Sequence, residues 1–138
     1  MTIEETEKEI IEEFELFGDD WEAKYEHLID LGKTLPLIKP EFKTEERIIK
    51  GCQSRVWLNS GLVEGNIVYT ADADAIITKG MVALMVRVLS NHNAEEIVKA
   101  KLDFVDAIGL KEHLSPTRAN GLVSMINKMK TDALAFIS

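Results

Sequence analysis

The sequence predicts an α+β fold in which several helices pack on one face of a small antiparallel β-sheet. Apolar residues near both ends recur three or four positions apart, which is the spacing of amphipathic helices. Between them, a hairpin at about residues 55–72 shows the period-two pattern of strands. A chain of 138 residues can bury a core without disulfides or metal, so we expect one domain over residues 1–138.

Two helices are predicted before the hairpin. The first carries an apolar stripe at steps of seven, four and three residues, formed by Ile3, Ile10, Phe14 and Phe17. Gly18 can end this helix. Asp19 or Asp20 then caps a second helix, with Glu22 placed after Asp19 as in a capping box, and this helix stops near Gly32.

The segment 35–40 contains two prolines, so it cannot continue a helix and should run extended over the surface. Residues 56–62 then alternate between two faces, which predicts a strand. Residues 64–66 are typical of a turn, and residues 67–70 form the returning strand. The hairpin therefore begins directly after a loop that contains Cys52, the only cysteine of the chain.

The third predicted helix covers residues 75–89 and is apolar on almost every side, which indicates a central position in the core. Asp72 or Asp74 is expected to cap it. Residues 94–99 should form a short helix, and residues 102–108 either another helix or turns.

The last predicted helix begins with a strong pair of signals. Ser115 is a favoured cap, and Pro116 suits the first helical position. One stripe of this helix is formed by Leu122, Met125, Ile126, Met129 and Ala133. We therefore expect it to pack along the core.

The formal net charge of −8 disfavours nucleic acid as a partner, because phosphates require a basic surface. Residues 1–20 contain nine acidic residues and one basic residue, whereas residues 21–138 contain 15 of each. No uncharged apolar run approaches the roughly 20 residues of a membrane span. The acidic start lacks the basic front of a signal peptide. We expect a cytoplasmic protein that does not bind membranes.

The loop around Cys52 is the strongest candidate for chemistry. Gly51 permits a sharp turn before the cysteine, and the polar residues Gln53 and Ser54 after it suggest exposure. Residues 47–63 include no acidic residue and three basic ones, Arg47, Lys50 and Arg55. Nearby cations favour the thiolate, which is the nucleophilic form of cysteine.

Three interpretations of Cys52 remain open from the residues alone: a functional thiol, a packed structural cysteine, or the nucleophile of a hydrolase or peroxidase. The last would need a histidine base, for which His113 is the best placed candidate. A single cysteine excludes an internal disulfide, and the scattered histidines do not suggest a metal site. Arg118 lies on the first turn of the last helix, where a cation is electrostatically unfavourable, which hints at a role. The alternative is a surface arginine that forms a salt bridge with a neighbour.

The run Ile49–Trp57, with the sequence IKGCQSRVW, closely resembles the signature of the SufE family, sulfur acceptors of iron–sulfur cluster assembly. Further segments resemble the family in the same order along the chain: Trp21–Tyr25, Leu31–Pro36, Ala73–Gly80 and Leu114–Leu122. The resemblance covers nearly the whole chain and implies a SufE/NifU-like fold. Arg55 is the one visible variation, since other members can carry an uncharged residue there.

The resemblance implies that Cys52 takes persulfide sulfur from a SufS-like cysteine desulfurase, stimulates it, and passes the sulfur to a SufBCD-like scaffold. Such a protein is a transfer accessory rather than a stand-alone enzyme, and a non-catalytic adaptor is the further alternative. Pyridoxal phosphate would belong to the desulfurase, so this chain needs neither cofactor nor metal. Whether the chain forms a homodimer stays open. The supporting residues that the loop and the resemblance suggest are Gly51, Gln53, Ser54, Arg55, Asp74, Lys79 and Arg118.

The resemblance also implies that the free protein tucks its thiol against apolar residues and that the loop swings outward to meet the desulfurase. Burial would raise the pKa of Cys52, whereas the basic neighbours would lower it. The sequence leaves the balance between these two effects open.

Overall fold

The computed structural model describes residues 1–137, and it confirms the α+β fold. Over these residues the chain forms seven α-helices and one two-stranded antiparallel sheet. The elements in chain order are α1 (Ile3–Glu15), α2 (Trp21–Gly32), β1 (Val56–Val63), β2 (Asn66–Ala73), α3 (Ile76–Leu89), α4 (Ala94–Lys99), α5 (Phe104–Ala107), α6 (Leu110–His113) and α7 (Pro116–Ala135). None of these helices is long and apolar enough to cross a membrane.

The hairpin was predicted correctly, with a register from Val56 opposite Ala73 to Val63 opposite Asn66. One face of it is buried, through Val56 and Leu58 of β1 and through Ile67, Tyr69 and Ala71 of β2. The buried face packs against helices α3 and α7. The apolar Leu62 and Val63, beside the hairpin turn, are exposed.

The segment 35–40 lies at the surface, as its two prolines suggested, with Pro36, Leu37, Lys39 and Pro40 exposed, but it also packs against the sheet. Leu35 and Ile38 are buried, and Leu37 pairs with Ala71 of β2. The amide of Ile38 donates to the Ala71 carbonyl at 3.0 Å, and the Ala71 amide donates to the Pro36 carbonyl at 3.0 Å. The segment therefore satisfies backbone groups on the free edge of β2, which would otherwise be left without partners.

One helix cap agrees with the sequence prediction and one differs. Helix α2 is capped by Asp20, one of the two predicted candidates, whose carboxylate accepts from the Ala23 amide at 3.1 Å. The capping box predicted for Asp19 with Glu22 is wrong, because Asp19 is not the cap. Helix α3 begins after Ala75 and has no side-chain cap. Asp72 instead accepts from Lys43 at 2.9 Å, and Asp74 accepts from a backbone amide of the cysteine loop. Both carboxylates are thus held by donors from other parts of the chain.

Helix α3 forms the centre of the molecule, as its uniformly apolar sequence predicted. Ten of its residues are buried: Thr78, Gly80, Met81, Val82, Ala83, Leu84, Met85, Val86, Val88 and Leu89. Helix α2 crosses it where Gly32 meets Gly80, with backbone against backbone. Helix α7 lies along the core through Leu122, Met125, Met129 and Ala133, four of the five predicted stripe residues.

An ion-pair network ties α1 to the last turn of α3. Arg87 donates to Glu9 at 2.5 Å and to both carboxylate oxygens of Glu13, at 3.0 and 2.5 Å. His27 of α2 lies 3.2 Å from Glu13. The hydrogen bonds from Arg87 hold the pKa of Glu13 below its ordinary value. Glu13 is therefore the central anion of a three-helix contact.

Replacing Glu13 with glutamine should lower the free energy of unfolding by about 1 kcal/mol at neutral pH, because the pair is only partly sheltered from water. The pKa of Glu13 is lower in the folded protein than in the unfolded chain. Its stabilisation is therefore complete above the unfolded pKa and is lost as the pH falls through the folded pKa. Urea unfolding at a series of acidic pH values should show the free energies of unfolding of the parent protein and the variant converging as the pH falls. Glu12→Gln, at an exposed position of the same helix, is the matched control.

Candidate functional site

The cysteine loop, residues 50–55, connects a buried residue to the first strand of the hairpin. It is closed at its base by the Ile49 amide, which donates to the Val56 carbonyl at 2.8 Å. Gly51 has a φ of +96°, a region that residues with a side chain rarely adopt. A β-carbon on Gly51 would also lie 2.4 Å from Ser124 Oγ of α7. The loop thus has a sharp turn whose backbone lies directly on α7.

The thiol of Cys52 points inward and is half-buried, which differs from the exposure that its polar neighbours suggested. Its Sγ lies 3.6 Å from the carbonyl oxygen of Gly121, to which the thiol donates. Gly121 leaves room for it, because a β-carbon there would lie 3.5 Å from Sγ. Burial raises the pKa of Cys52 above its ordinary value. The resting thiol is therefore protonated at neutral pH.

A cavity of about 330 Å³ opens beside this thiol, a volume at the lower end of small-molecule sites. Its wall is made by three parts of the chain, the cysteine loop, the start of α3 and the start of α7. The lining residues are Cys52, Gln53, Ser54, Ala75, Thr78, Met81, Thr117, Arg118, Gly121 and Met125. The Ser54 hydroxyl donates to Thr78 Oγ1 at 3.2 Å, which joins the loop to α3.

The structure brings most of the predicted site residues together. Gln53, Ser54 and Arg118 line the cavity with Cys52, and Arg118 is exposed at its mouth. Asp74 holds the loop from outside: its carboxylate accepts from the Arg55 amide at 2.9 Å, and its own amide donates to the Arg55 carbonyl at 3.1 Å. Arg118 thus belongs to the cavity, and Asp74 to the attachment of the loop.

Lys79 lies away from the thiol. Its ammonium group is 3.4 Å from the Asp72 carboxylate, and its side chain is not part of the cavity wall. Lys43 binds the same carboxylate and also lies 4.3 Å from the centre of the Trp57 ring. Lys79 therefore helps to neutralise Asp72 on the outer side of the hairpin.

Sequence reasoning missed the helix α7 residues on which the loop rests. Gly121 and Ser124 received no role, although a glycine inside a helix is a signal of close approach, since it costs about 1 kcal/mol relative to alanine. Thr78 was also missed. It is buried near the start of α3 and bonded to the loop. Its neighbours in sequence gave no hint of this contact.

The histidines have structural partners elsewhere. The His113 ring stacks on Trp21 at 3.8 Å, and its Nδ1 lies 3.0 Å from the Gly109 carbonyl oxygen. His27 is paired with Glu13, and His92 lies 3.5 Å from Glu96. Within residues 1–137 no histidine lines the cysteine cavity, and no group of three residues of types His, Cys, Asp or Glu is placed to hold a metal ion.

Fold and site together define a small α+β protein that keeps one half-sheltered cysteine on a loop at the open end of a β-hairpin. The chain belongs to the SufE family: the family model, described as an Fe–S metabolism associated domain, matches residues 8–133. The resemblance of the motifs is thus confirmed, and the chain has a role in Fe–S metabolism.

Several proteins are similar over most of this chain. A chloroplastic/mitochondrial SufE-like protein 1 of Arabidopsis thaliana is 42% identical over 96% of this chain, which spans only 36% of that longer protein. An uncharacterized SufE-like protein of Rhizobium meliloti is 41% identical, over 91% of this chain and 92% of its own length. A solution structure of a hypothetical protein from Thermus thermophilus shares the fold, with a TM-score of 0.79, 19% identity, and coverage of 96% and 97% of the two chains.

Proposed function

We propose that the protein is a sulfur acceptor and carrier, which takes sulfur on Cys52 from the persulfide of a cysteine desulfurase and delivers it to an iron–sulfur scaffold. The observation that carries this proposal is the position of the only cysteine. Cys52 lines a cavity of about 330 Å³, and its Sγ lies 3.6 Å from the Gly121 carbonyl oxygen. Membership in a family of Fe–S metabolism supports the same function.

The transfer itself is an exchange between sulfurs and needs no oxidant. The Cys52 thiolate attacks the outer sulfur of the donor persulfide, and a new S–S bond forms on Cys52. The S–S bond of the donor breaks, and its electron pair leaves with the donor thiolate. The proton that Cys52 releases balances the one that the donor thiolate can take up, so the products are a Cys52 persulfide and a free donor thiol.

The resting geometry suppresses this reaction. Burial raises the pKa of Cys52, which lowers the thiolate fraction, and the inward direction of Sγ limits attack by other molecules. Moving the loop outward would bring the thiol into water and restore its ordinary pKa. In this proposal the desulfurase draws the loop out, so the nucleophile becomes reactive where its substrate is.

Pyridoxal phosphate belongs to the desulfurase in this scheme, and the transfer step asks for neither cofactor nor metal on this chain. The scaffold would take the sulfur from Cys52 by the same exchange. The cytoplasmic location remains a prediction, since one relative is named chloroplastic/mitochondrial. A homodimer likewise remains a prediction.

Mass spectrometry of the intact protein, incubated with a cysteine desulfurase and free cysteine, tests the proposal. We expect a gain of about 32 Da for each sulfur, since sulfur atoms add to the thiol without other change. Treatment with a thiol reductant should remove the gain, because exchange releases the outer sulfur. An active desulfurase that leaves the mass unchanged would contradict the proposal.

Two variants separate sulfur transfer from the other interpretations of Cys52. Cys52→Ser should abolish the mass gain, whereas an adaptor with a structural cysteine predicts that cluster assembly survives this change. His113→Ala should leave the gain intact, because His113 stacks on Trp21 and does not line the cavity. A self-sufficient hydrolase or peroxidase predicts turnover without a desulfurase and a loss in both variants.

A further inference from the structure

The cysteine loop is fixed at both ends by backbone hydrogen bonds. Before it, the Ile49 amide donates to the Val56 carbonyl at 2.8 Å. At its end, the Arg55 amide donates to the Asp74 carboxylate at 2.9 Å, and the Arg55 carbonyl accepts from the Asp74 amide at 3.1 Å. Residues 50–54 are therefore the part of the loop that can move outward while both ends keep their bonds.

Two hydrogen bonds join residues 50–54 to helices, within the part of the chain that the structure describes. The Cys52 thiol donates to the Gly121 carbonyl of α7 at 3.6 Å, and the Ser54 hydroxyl donates to Thr78 Oγ1 of α3 at 3.2 Å. A thiol is a weak donor, whereas a hydroxyl is an ordinary one. The bond between Ser54 and Thr78, which we call the hydroxyl pair, is therefore the stronger of these two restraints.

The hydroxyl pair joins a fixed element to a movable one. Thr78 is only 7% exposed and lies on the first turn of the central helix α3, so its position does not depend on the loop. Ser54 is half-buried on the loop itself. Outward movement of the loop separates the two hydroxyls, and Ser54 then bonds to water instead. This exchange costs about as much as one neutral hydrogen bond, which shifts a conformational equilibrium about two- to tenfold.

Loading of sulfur changes the two restraints differently. Once Cys52 carries a second sulfur, its Sγ no longer bears the hydrogen that the Gly121 carbonyl accepts in the resting protein. The bond to Gly121 is therefore lost, whereas the bond between Ser54 and Thr78 does not involve the reacting atoms. In the sulfur-loaded protein the hydroxyl pair is thus the restraint that persists, of the two that the described residues provide.

We propose that Ser54 and Thr78 are positioning residues for the thiol. Their hydrogen bond holds the cysteine loop in its resting position, and it keeps the loop there after Cys52 has received sulfur. The second part of this inference rests on the proposed function, because it requires a loaded Cys52. The first part does not, because the resting loop can be studied without a sulfur donor.

Alkylation of Cys52 by iodoacetamide tests the resting loop, because the rate follows the fraction of molecules whose loop is open. Thr78→Val removes the accepting hydroxyl and keeps the branched shape of the side chain. Ser54→Ala removes the donor from a loop position and leaves the core unchanged. Each variant should alkylate about two- to tenfold faster than the parent protein. Alkylation of both variants at the parent rate would overturn the proposal.

The double variant shows whether the two hydroxyls act on each other. Because each single change already breaks the same bond, Ser54→Ala with Thr78→Val should alkylate no faster than either single variant. Thr78→Ser keeps a hydroxyl at this position and should restore a rate close to that of the parent protein. Two single effects that multiply in the double variant would mean that the residues act separately, which contradicts the hydroxyl pair.

Thr70→Val is the matched control for the loss of a threonine hydroxyl. Thr70 is half-buried on β2, and its hydroxyl forms no hydrogen bond within residues 1–137. This variant should alkylate at the parent rate. Urea unfolding of every variant shows whether a faster rate follows from a less stable fold, and an increase that appears only with lower global stability would count against a local restraint.

The loaded protein is tested by the rate at which a small thiol reductant removes the outer sulfur, after loading by a cysteine desulfurase. We expect Thr78→Val to lose this sulfur about two- to tenfold faster than the parent protein, because its loop opens more often. Loss at the parent rate would overturn the role of the hydroxyl pair in the loaded state and leave the proposed function standing. A parent protein that an active desulfurase does not load would contradict the proposed function, whereas the alkylation rates would still decide the resting loop.

Discussion

Replacing Gly80 with alanine is expected to destabilise the protein by about 3 kcal/mol, near the upper end of overpacking costs. The added β-carbon would lie 2.1 Å from the carbonyl oxygen of Leu28 and 2.6 Å from its carbonyl carbon. Both are backbone atoms of α2, so no side-chain rotation can relieve the collision. Alanine gains about 1 kcal/mol in helix propensity, which offsets only part of the cost. Urea unfolding followed by circular dichroism measures the difference.

The effect should reach the site, because the start of α3 supplies Ala75 and Thr78 to the cysteine cavity. Gly61→Ala is the matched control, since a β-carbon there meets nothing within 4 Å. Its stability should stay within about 0.5 kcal/mol of the parent protein. Gly32→Ala should have an intermediate cost, because its β-carbon would lie 3.1 Å from the Gly80 amide nitrogen. Equal stability of the Gly80 and Gly61 variants would show that α2 and α3 can separate at no cost.

The elements that could be predicted are those whose signals are local. The last helix was found because Ser115 and Pro116 mark its start, and the structure shows the Ser115 hydroxyl accepting from the Arg118 amide. The hairpin was found from its period-two pattern and its turn. The uniformly apolar sequence of α3 placed it correctly in the core. In each case the sequence segment alone contains the physical cause.

The errors share a different cause, which is competition from residues distant in sequence. Asp72 is a good cap by type, but Lys43 lies beside it in the fold and binds its carboxylate. Asp74 is likewise bound to the amide of Arg55, 19 residues earlier. Residues 35–40 were expected at the surface, where most of them lie, but their pairing with Ala71 was missed because nothing in them reveals that β2 has a free edge nearby.

The same distinction holds at the candidate site. The loop could be predicted from Gly51 and Cys52, but its residues alone did not give the direction of the thiol, because the contact with Gly121 spans 69 residues. The family resemblance did imply a thiol that is tucked inward. The sequence also left open whether the basic neighbours or burial would dominate the pKa of Cys52, and in the fold burial dominates. Lys50 and Arg55 are exposed, so water and salt screen them, whereas burial acts directly on Sγ and raises its pKa.

Replacing Gly51 with alanine is expected to release the cysteine loop and to raise the rate of Cys52 alkylation by iodoacetamide about tenfold. A left-handed φ of +96° costs a residue with a side chain about 1–2 kcal/mol, and 1.4 kcal/mol corresponds to a factor of ten in a conformational equilibrium. The β-carbon would also lie 2.4 Å from Ser124 Oγ. Both effects destabilise only the resting loop, in which Gly51 lies against α7. They therefore favour a loop that has moved outward.

Two further variants divide the expected effect into its causes. Gly65→Ala has a comparable φ of +86° but meets nothing within 4 Å and lies at the hairpin turn, so it should leave the alkylation rate unchanged. Ser124→Ala, combined with Gly51→Ala, removes the hydroxyl collision and should return part of the rate towards that of the parent protein. The remaining increase then measures backbone strain together with the 3.3 Å contact to Ser124 Cβ, which the second substitution keeps. A Gly51→Ala protein that alkylates at the parent rate would mean that the docked loop tolerates both a side chain and a left-handed turn, which contradicts its proposed release.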